Sequence, residues 1–111
     1  MAKCTVVGIG PGKYEGMTIE AAEALKDADV IAGYSKYVEL VMPYFKDKEF
    51  FDNGMRQEEL RCREALRMAS EGRNVALVCS GDSSVYGMAG LVYELSAEYD
   101  GVEIAVIPGV T

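Results

Sequence analysis

Short apolar runs alternate with segments of helical periodicity along the whole chain. The run at 75–79 has no polar alternation, which is typical of a central parallel strand that is covered on both faces. Strands that alternate with helices indicate an α/β domain, here a three-layer sandwich around a mainly parallel sheet. The apolar runs predict strands at five places: near residues 3–9, 29–33, 49–51, 75–79 and 102–107.

Between the strands, apolar residues recur at helical spacing, and the clearest predicted helix spans 55–71 and ends at Gly72. Its charged residues are interpreted as a solvated face, within which Glu59 and Arg63 form an i, i+4 ion pair. That face comprises Arg56, Glu58, Glu59, Arg61, Arg63, Glu64 and Arg67. Shorter helices are predicted after Thr18 as N-cap, over 35–42 before Pro43, and around Met88, Val92 and Leu95.

The excess of acidic over basic residues argues against some classes of binding partner. The chain has 111 residues, enough for one domain, with 11 basic and 18 acidic residues and a net charge of −7. Nucleic acid and anionic membranes both require clustered basic residues, so neither is expected as a partner. No apolar stretch approaches the roughly 20 residues that span a bilayer, and the first residues lack signal-peptide features. We therefore expect a cytoplasmic protein.

The cysteine and histidine content restricts the chemistry. The three cysteines, Cys4, Cys62 and Cys79, form no C-x-x-C pair, so neither a disulfide framework nor a metal site is expected. Cys4 and Cys79 lie in apolar runs and are interpreted as core residues. The chain has no histidine, which excludes Ser-His-Asp and Cys-His nucleophilic schemes.

A glycine-rich segment, GIGPG at residues 8–12, follows the first predicted strand. Ligands of open α/β sheets bind at the carboxyl ends of the strands. A dinucleotide fingerprint requires a third glycine where Lys13 stands and a helix directly afterwards, whereas the helix here begins near Thr18. The segment therefore predicts either that a ligand without a pyrophosphate approaches the backbone closely, or only that the chain makes a tight strand-to-helix connection here.

A second turn, Ser80-Gly81-Asp82, follows the most buried predicted strand, and we expect it at the same edge of the sheet. A carboxylate there can face a cation or accept a hydrogen bond from a hydroxyl group. Alternatively, Asp82 only caps the following helix or forms an Asx turn.

Four ordered motifs together resemble the tetrapyrrole methylases, which methylate porphyrin- and corrin-type macrocycles with S-adenosylmethionine. The motifs are G-x-G-P-G, MTIEAAEALKDADVIAGY, VALVCSGDSSVYGMAG and IPGVT. Gly33-Tyr34-x-x-Tyr37 and the segment VYGMAG are most similar to the branch that methylates C17 of precorrin-3B, with ring contraction, in cobalamin biosynthesis. The resemblance covers the whole chain in the right order.

The resemblance implies that residues 1–111 form the N-terminal domain of a protein about twice as long, and we also expect a homo-oligomer. A C-terminal domain would complete the cleft that holds S-adenosylmethionine, the methyl-donor substrate. The implied donor contacts are Gly81, Asp82, Val85, Tyr86 and Thr111. The implied contacts of the tetrapyrrole substrate are Gly8, Gly10, Pro11, Gly12 and Lys13. The family commonly has Gly-Asp-Pro at the second turn; Ser83 replaces the proline here, and contacts made by the backbone are expected to tolerate this.

Methyl transfer from a sulfonium to carbon suits a chain without histidine. The leaving group is already good, so the protein mainly supplies proximity, orientation and a water-poor site. Tyr34, Tyr37 and Asp82 are the candidates for proton transfer. Lys13 and Lys36 either offset the carboxylates of the substrate or are merely solvated.

Two other functions stay open at this point. One is a domain that binds an adenosine-type ligand without catalysis. The other is a methylase of the same family that acts on a different macrocycle, on ribosomal RNA or on diphthamide. The Gly-Tyr-x-x-Tyr element favours the corrin branch.

Overall fold

The computed structural model describes residues 2–10, 16–54, 57–80 and 82–109, without the side chains of Asp82 and Ser83. Its strands are β1 (Lys3–Gly8), β2 (Val30–Tyr34), β3 (Glu49–Asn53), β4 (Asn74–Cys79) and β5 (Glu103–Ile107). They form one sheet in the order β3-β2-β4-β1-β5, and every pairing is parallel. The α/β class and the five predicted strands are confirmed.

The helices within the described residues are α1 (Ile19–Asp27), α2 (Ser35–Val41), α3 (Glu58–Ser70) and α4 (Asp82–Ser96). Helix α1 begins after Thr18, whose Oγ1 accepts a hydrogen bond of 3.0 Å from the Ala21 backbone N–H, so the predicted N-cap is confirmed. Helix α2 ends where a 3₁₀ turn containing Pro43 follows. None of these helices is long and apolar enough to cross a membrane.

The helices cover the two faces of the sheet in pairs. Side chains of α1 and α2 form one core cluster together with Val7, and side chains of α3 and α4 form a second cluster together with Val6. Neighbouring residues of a strand point to opposite faces, so Val6 and Val7 of β1 serve the two clusters in turn. The predicted three-layer sandwich is confirmed.

Strand β4 occupies the centre of the sheet between β1 and β2. Each of its residues from Val75 to Cys79 is at most 2% exposed. Both faces of this strand are covered by helices, which explains why its sequence is apolar at consecutive positions. This confirms the interpretation of the run at 75–79 as a central parallel strand.

Helix α3 carries the charged residues that were predicted to be solvated, except Arg56, which lies outside the described residues. Arg63 forms the predicted i, i+4 ion pair with Glu59 at 3.0 Å. Arg61, in contrast, is only 4% exposed. Its assignment to the solvated face was wrong, because its side chain lies against the end of β3 and donates hydrogen bonds there. The helix ends at Ser70, just before Gly72, the predicted stop, which has a left-handed φ of 96°.

The three cysteines are all buried and free. Cys4 and Cys79 lie in the core cluster beneath α3 and α4, as predicted, and Cys62 of α3 joins them. Burial is the main reason why the pKa of each thiol is raised to about 12. The thiols are therefore uncharged core groups at neutral pH.

We predict that the buried thiol of Cys4 makes folding sensitive to alkaline pH. In the unfolded chain this thiol ionises near its ordinary pKa of about 8.5, whereas in the folded protein it stays protonated up to about pH 12. Its contribution to stability is therefore complete below about pH 8.5 and is lost as the pH rises towards 12. At about pH 10 the loss amounts to about 2 kcal/mol.

Urea unfolding of the wild type and of Cys4→Ala, at about pH 7 and about pH 10, measures this effect. The cavity left by the substitution lowers stability by a similar amount at both pH values. The difference between the two proteins should therefore shrink by about 2 kcal/mol at the higher pH. A difference that does not depend on pH would contradict the prediction.

Candidate functional site

The carboxyl ends of the three inner strands meet at one edge of the sheet. Gly8 of β1 is aligned with Cys79 of β4, and Gly33 of β2 is aligned with Val78. The Ile9 N–H donates a hydrogen bond of 2.9 Å to the carbonyl oxygen of Cys79, which extends the β1–β4 pairing past the end of β1. The described parts of the glycine segment and of the second turn thus lie at the same edge, as predicted.

Gly8 lies in close contact with the turn that follows β5. A Cβ atom at Gly8 would lie 2.5 Å from the backbone nitrogen of Gly109 and 2.6 Å from Cγ2 of Val85. A Cβ atom at Gly109 would lie 2.9 Å from the carbonyl oxygen of Gly8. The close backbone approach predicted for this segment is therefore made, at Gly8, by the chain itself.

A pocket of about 440 Å³ opens where the end of β2 meets three helices. Its aromatic wall consists of Tyr34 and Tyr37, whose rings contact edge to face with centroids 5.3 Å apart and an interplanar angle of 78°. The remaining walls come from α3 and α4: Glu58, Arg61, Ser84, Gly87, Met88 and Leu91. The pocket is mainly apolar and aromatic, with a buried cation in its wall.

That cation is Arg61, and neutral groups hold it in place. Its Nε donates a hydrogen bond of 2.8 Å to Oδ1 of Asn53, and its Nη2 donates one of 2.9 Å to the carbonyl oxygen of Gly54. Its Cζ lies 5.8 Å from the centroid of the Tyr34 ring, within the range of a cation–π contact. Two hydrogen bonds and one aromatic face thus orient the guanidinium group.

Asn53, at the end of β3, joins the elements around this cation. Its carbonyl oxygen accepts a hydrogen bond of 3.1 Å from Oγ of Ser35 at the start of α2. Its side-chain nitrogen donates one of 3.3 Å to the carbonyl oxygen of Gln57, just before α3. The backbone and side chain of one residue, Asn53, therefore connect β3, α2 and α3 on the side of the pocket where Arg61 lies.

The structure brings some of the predicted site residues together. Tyr34 and Tyr37 both line the pocket. Val85 is fully buried, whereas Tyr86 is 61% exposed. Lys36 is also exposed.

Other predicted residues are described only in part. Asp82 is the first residue of α4, and Gly10 follows β1 with a φ of 76°. The remaining predicted positions lie outside the described residues: Pro11, Gly12, Lys13, Gly81 and Thr111. Within the described part of the chain, no group of three or more His, Cys, Asp or Glu side chains is placed to hold a metal ion.

Sequence reasoning missed Arg61 as a site residue, although a signal was present. Arg61, Ala65 and Met68 follow one another at i, i+4 and i+7, and all three are buried. A charged residue in register with a buried stripe is unusual, because buried charges are costly unless they are paired or functional. The informative feature was therefore the position of Arg61 in register with the buried residues of α3.

Comparisons with known proteins agree with the motifs. The family model of the Tetrapyrrole (Corrin/Porphyrin) Methylases matches residues 3–111. A probable cobalt-factor III C(17)-methyltransferase of Salmonella typhimurium is 48% identical over 108 residues, which are 96% of this chain and 45% of that protein. A cobalt-factor III methyltransferase of Priestia megaterium is 44% identical over 114 residues, which are 98% of this chain and 21% of that protein.

The crystal structure of the methyltransferase CobJ has a TM-score of 0.86 and 39% identity to this chain, covering 97% of it and 46% of the solved chain. Fold and site together define a parallel α/β domain with a pocket at the carboxyl edge of its sheet. The chain belongs to the tetrapyrrole (corrin/porphyrin) methylases, as its motifs indicated. It spans less than half the length of each of these relatives.

We predict that Gly8→Ala lowers the free energy of unfolding by about 1–3 kcal/mol, a cost typical of overpacking. The added Cβ would meet backbone atoms of Gly109, which cannot turn aside as a flexible side chain can. The matched control is Gly90→Ala in α4, where a Cβ would meet nothing within 4 Å. That control should be neutral or stabilising by about 0.5–1 kcal/mol. Chemical denaturation measures both variants, and equal stabilities would contradict the proposed contact.

Proposed function

We propose that this chain is the N-terminal domain of an S-adenosylmethionine-dependent C-methyltransferase that acts on a corrin precursor. The reaction is methylation at C17 of precorrin-3B, or of its cobalt-bearing counterpart, with contraction of the ring, in cobalamin biosynthesis. The observation that carries the proposal is that the described residues directly after β1, β4 and β5 lie together at one sheet edge, beside a pocket with an aromatic wall.

The contact around Gly8 supports a donor site built from the predicted residues. Val85 of α4 and Gly109 after β5 both lie within 3 Å of the position that a Gly8 Cβ would occupy. The first turn of α4 and the turn after β5 are therefore neighbours, as a single donor site formed by both turns would require. Exposed Tyr86 adds an aromatic surface suited to an adenosine group.

The pocket supports the proposal of a macrocyclic substrate. Tyr34, Tyr37, Met88 and Leu91 offer apolar and aromatic surface to a flat ring system. The donor, when bound, supplies an electrophilic methyl group and a good leaving group. The residues of this chain then bind and orient the reactants and exclude water. The hydroxyls of Tyr34 and Tyr37 and the carboxylate of Glu58 are at the pocket and are able to move a proton.

A second domain is part of the proposal. The relatives named above are more than twice as long as the segment they share with this chain. Strand β5 forms one edge of the sheet, and none of its residues is fully buried. We propose that a C-terminal domain packs near this edge and supplies the other wall of the donor site.

We predict that the full-length protein transfers one methyl group from S-adenosylmethionine to a corrin precursor, and that residues 1–111 alone do not. The isolated chain should fold and should bind the donor weakly at most. It should also self-associate through exposed apolar surface, such as that of Ile19 and Tyr86, which are 80% and 61% exposed. Mass spectrometry of the product, with precorrin-3B and cobalt-factor III as substrates, tests transfer; sedimentation tests association. Robust turnover by a monomer of 111 residues would overturn the proposal that two domains form the donor site.

We predict that Asp82→Ala in the full-length protein weakens S-adenosylmethionine binding by about tenfold or more, the effect of losing a charge-assisted hydrogen bond. Isothermal titration calorimetry measures the affinity. Glu94→Ala, which removes an exposed carboxylate from the same helix, is the matched control and should bind normally. An unchanged affinity for Asp82→Ala would assign Asp82 to the formation of the turn at the start of α4 alone.

A further inference from the structure

Arg61 is a buried cation whose described partners are all uncharged. It is 4% exposed, and it lines the pocket. Its two hydrogen bonds go to an amide oxygen and a carbonyl oxygen. No acidic side chain among the described residues forms an ion pair with it, although Glu58 lines the same pocket. Burying a charge without a counter-ion is expensive, so a missing anion is the natural complement of this site.

The donor groups of Arg61 are only partly used. A guanidinium group has five N–H donors in a fixed plane. Nε and Nη2 each donate to the end of β3, and Nη1 has no hydrogen-bond partner among the described residues. The two existing bonds hold the plane of the group, which leaves its remaining donors oriented before any ligand arrives. Such a fork matches the two oxygens of a carboxylate.

The surroundings select the kind of molecule that carries this carboxylate. The ring of Tyr34 lies 5.8 Å from the Cζ of Arg61, and Tyr37, Met88 and Leu91 continue the apolar wall. A molecule that fits both features has a flat apolar body and an acidic side group. A simple inorganic anion would satisfy the charge and leave the apolar wall uncovered.

We infer that Arg61 is a ligand-recognition residue that binds a carboxylate of a molecule in this pocket. The inference rests on the proposed function, and two molecules in that reaction carry such a group. One is the macrocycle, through an acidic side chain at its rim, and the other is the methyl donor, through its amino-acid end. The chemistry is the same in both cases, and binding experiments separate the two sources.

The test compares an acid with its ester in the full-length protein. Coproporphyrin, a tetrapyrrole with free carboxylates, and its methyl ester are titrated by fluorescence into the wild type and into Arg61→Gln. S-adenosylhomocysteine is titrated by calorimetry into the same proteins. Arg67→Gln is the matched control, because Arg67 lies on the same helix and its partners Glu64 and Glu71 are on the surface.

We expect Arg61→Gln to change one of two measured quantities: the acid–ester affinity ratio or the affinity for S-adenosylhomocysteine. If the macrocycle supplies the carboxylate, the wild type binds the acid about tenfold to a hundredfold better than the ester, and Arg61→Gln loses this preference. If the donor supplies it, Arg61→Gln weakens S-adenosylhomocysteine binding by a similar factor and leaves the acid–ester ratio unchanged. Arg67→Gln should alter neither quantity.

The inference is overturned if both the acid–ester ratio and the S-adenosylhomocysteine affinity of Arg61→Gln equal those of the wild type. Because the substitution also removes the hydrogen bonds to Asn53 and Gly54, cooperative unfolding of the variant is checked first. Should the variant not fold, Arg61→Lys replaces it, since it keeps the charge and removes the planar fork; the same criterion applies. Methyl transfer is not used as a readout, so failure of the proposed reaction and failure of this inference are distinguishable.

Discussion

Six consecutive residues of β1, from Lys3 to Gly8, pair in parallel with β4, and the positions of the other elements follow from this pairing. Although β2 and β3 precede β4 in the sequence, β4 lies between β1 and β2 in the sheet. β4 then has strands on both sides and helices above and below, so its backbone groups are satisfied by its neighbours and its side chains are buried. The same pairing aligns the carboxyl ends of β1 and β4, which creates the edge where the candidate site lies.

The first turn of α4 connects the two regions of that site, the contact around Gly8 and the pocket with the aromatic wall. Val85 is packed against Gly8 in the contact that brings the turns after β1 and β5 together, whereas its neighbour Ser84 lines the pocket. Consecutive residues of a helix point in directions about 100° apart, so one turn can serve both regions. In the proposed reaction, the donor region and the macrocycle pocket are thereby held in a fixed relation, which is the main requirement for methyl transfer.

Burial of Arg61 has a cost that its protein partners only partly offset. Two neutral acceptors and an aromatic ring stabilise the guanidinium group, and Asn53 connects β3, α2 and α3 around it through its backbone carbonyl and its side-chain amide. An oriented charge in an apolar wall is useful for ligand recognition, because less orientation is lost when the ligand binds. The same charge would be of little value on the solvated face of α3, where screening by water weakens such interactions.

The sequence by itself determined the elements that depend on nearby residues. Apolar runs marked the strands, Thr18 marked the start of α1, and Gly72 marked the end of α3, because periodicity and capping act within a few residues. The family was also readable, since its motifs are contiguous segments. Only the tertiary structure decided the features that depend on distant partners. β3 extends to Asn53, beyond its apolar residues, because Tyr34 of β2 pairs with it. Gly8 requires its small size because Gly109, at the other end of the chain, packs against it. Arg61 is buried rather than solvated because the end of β3 supplies its acceptors, and no local pattern contains that information.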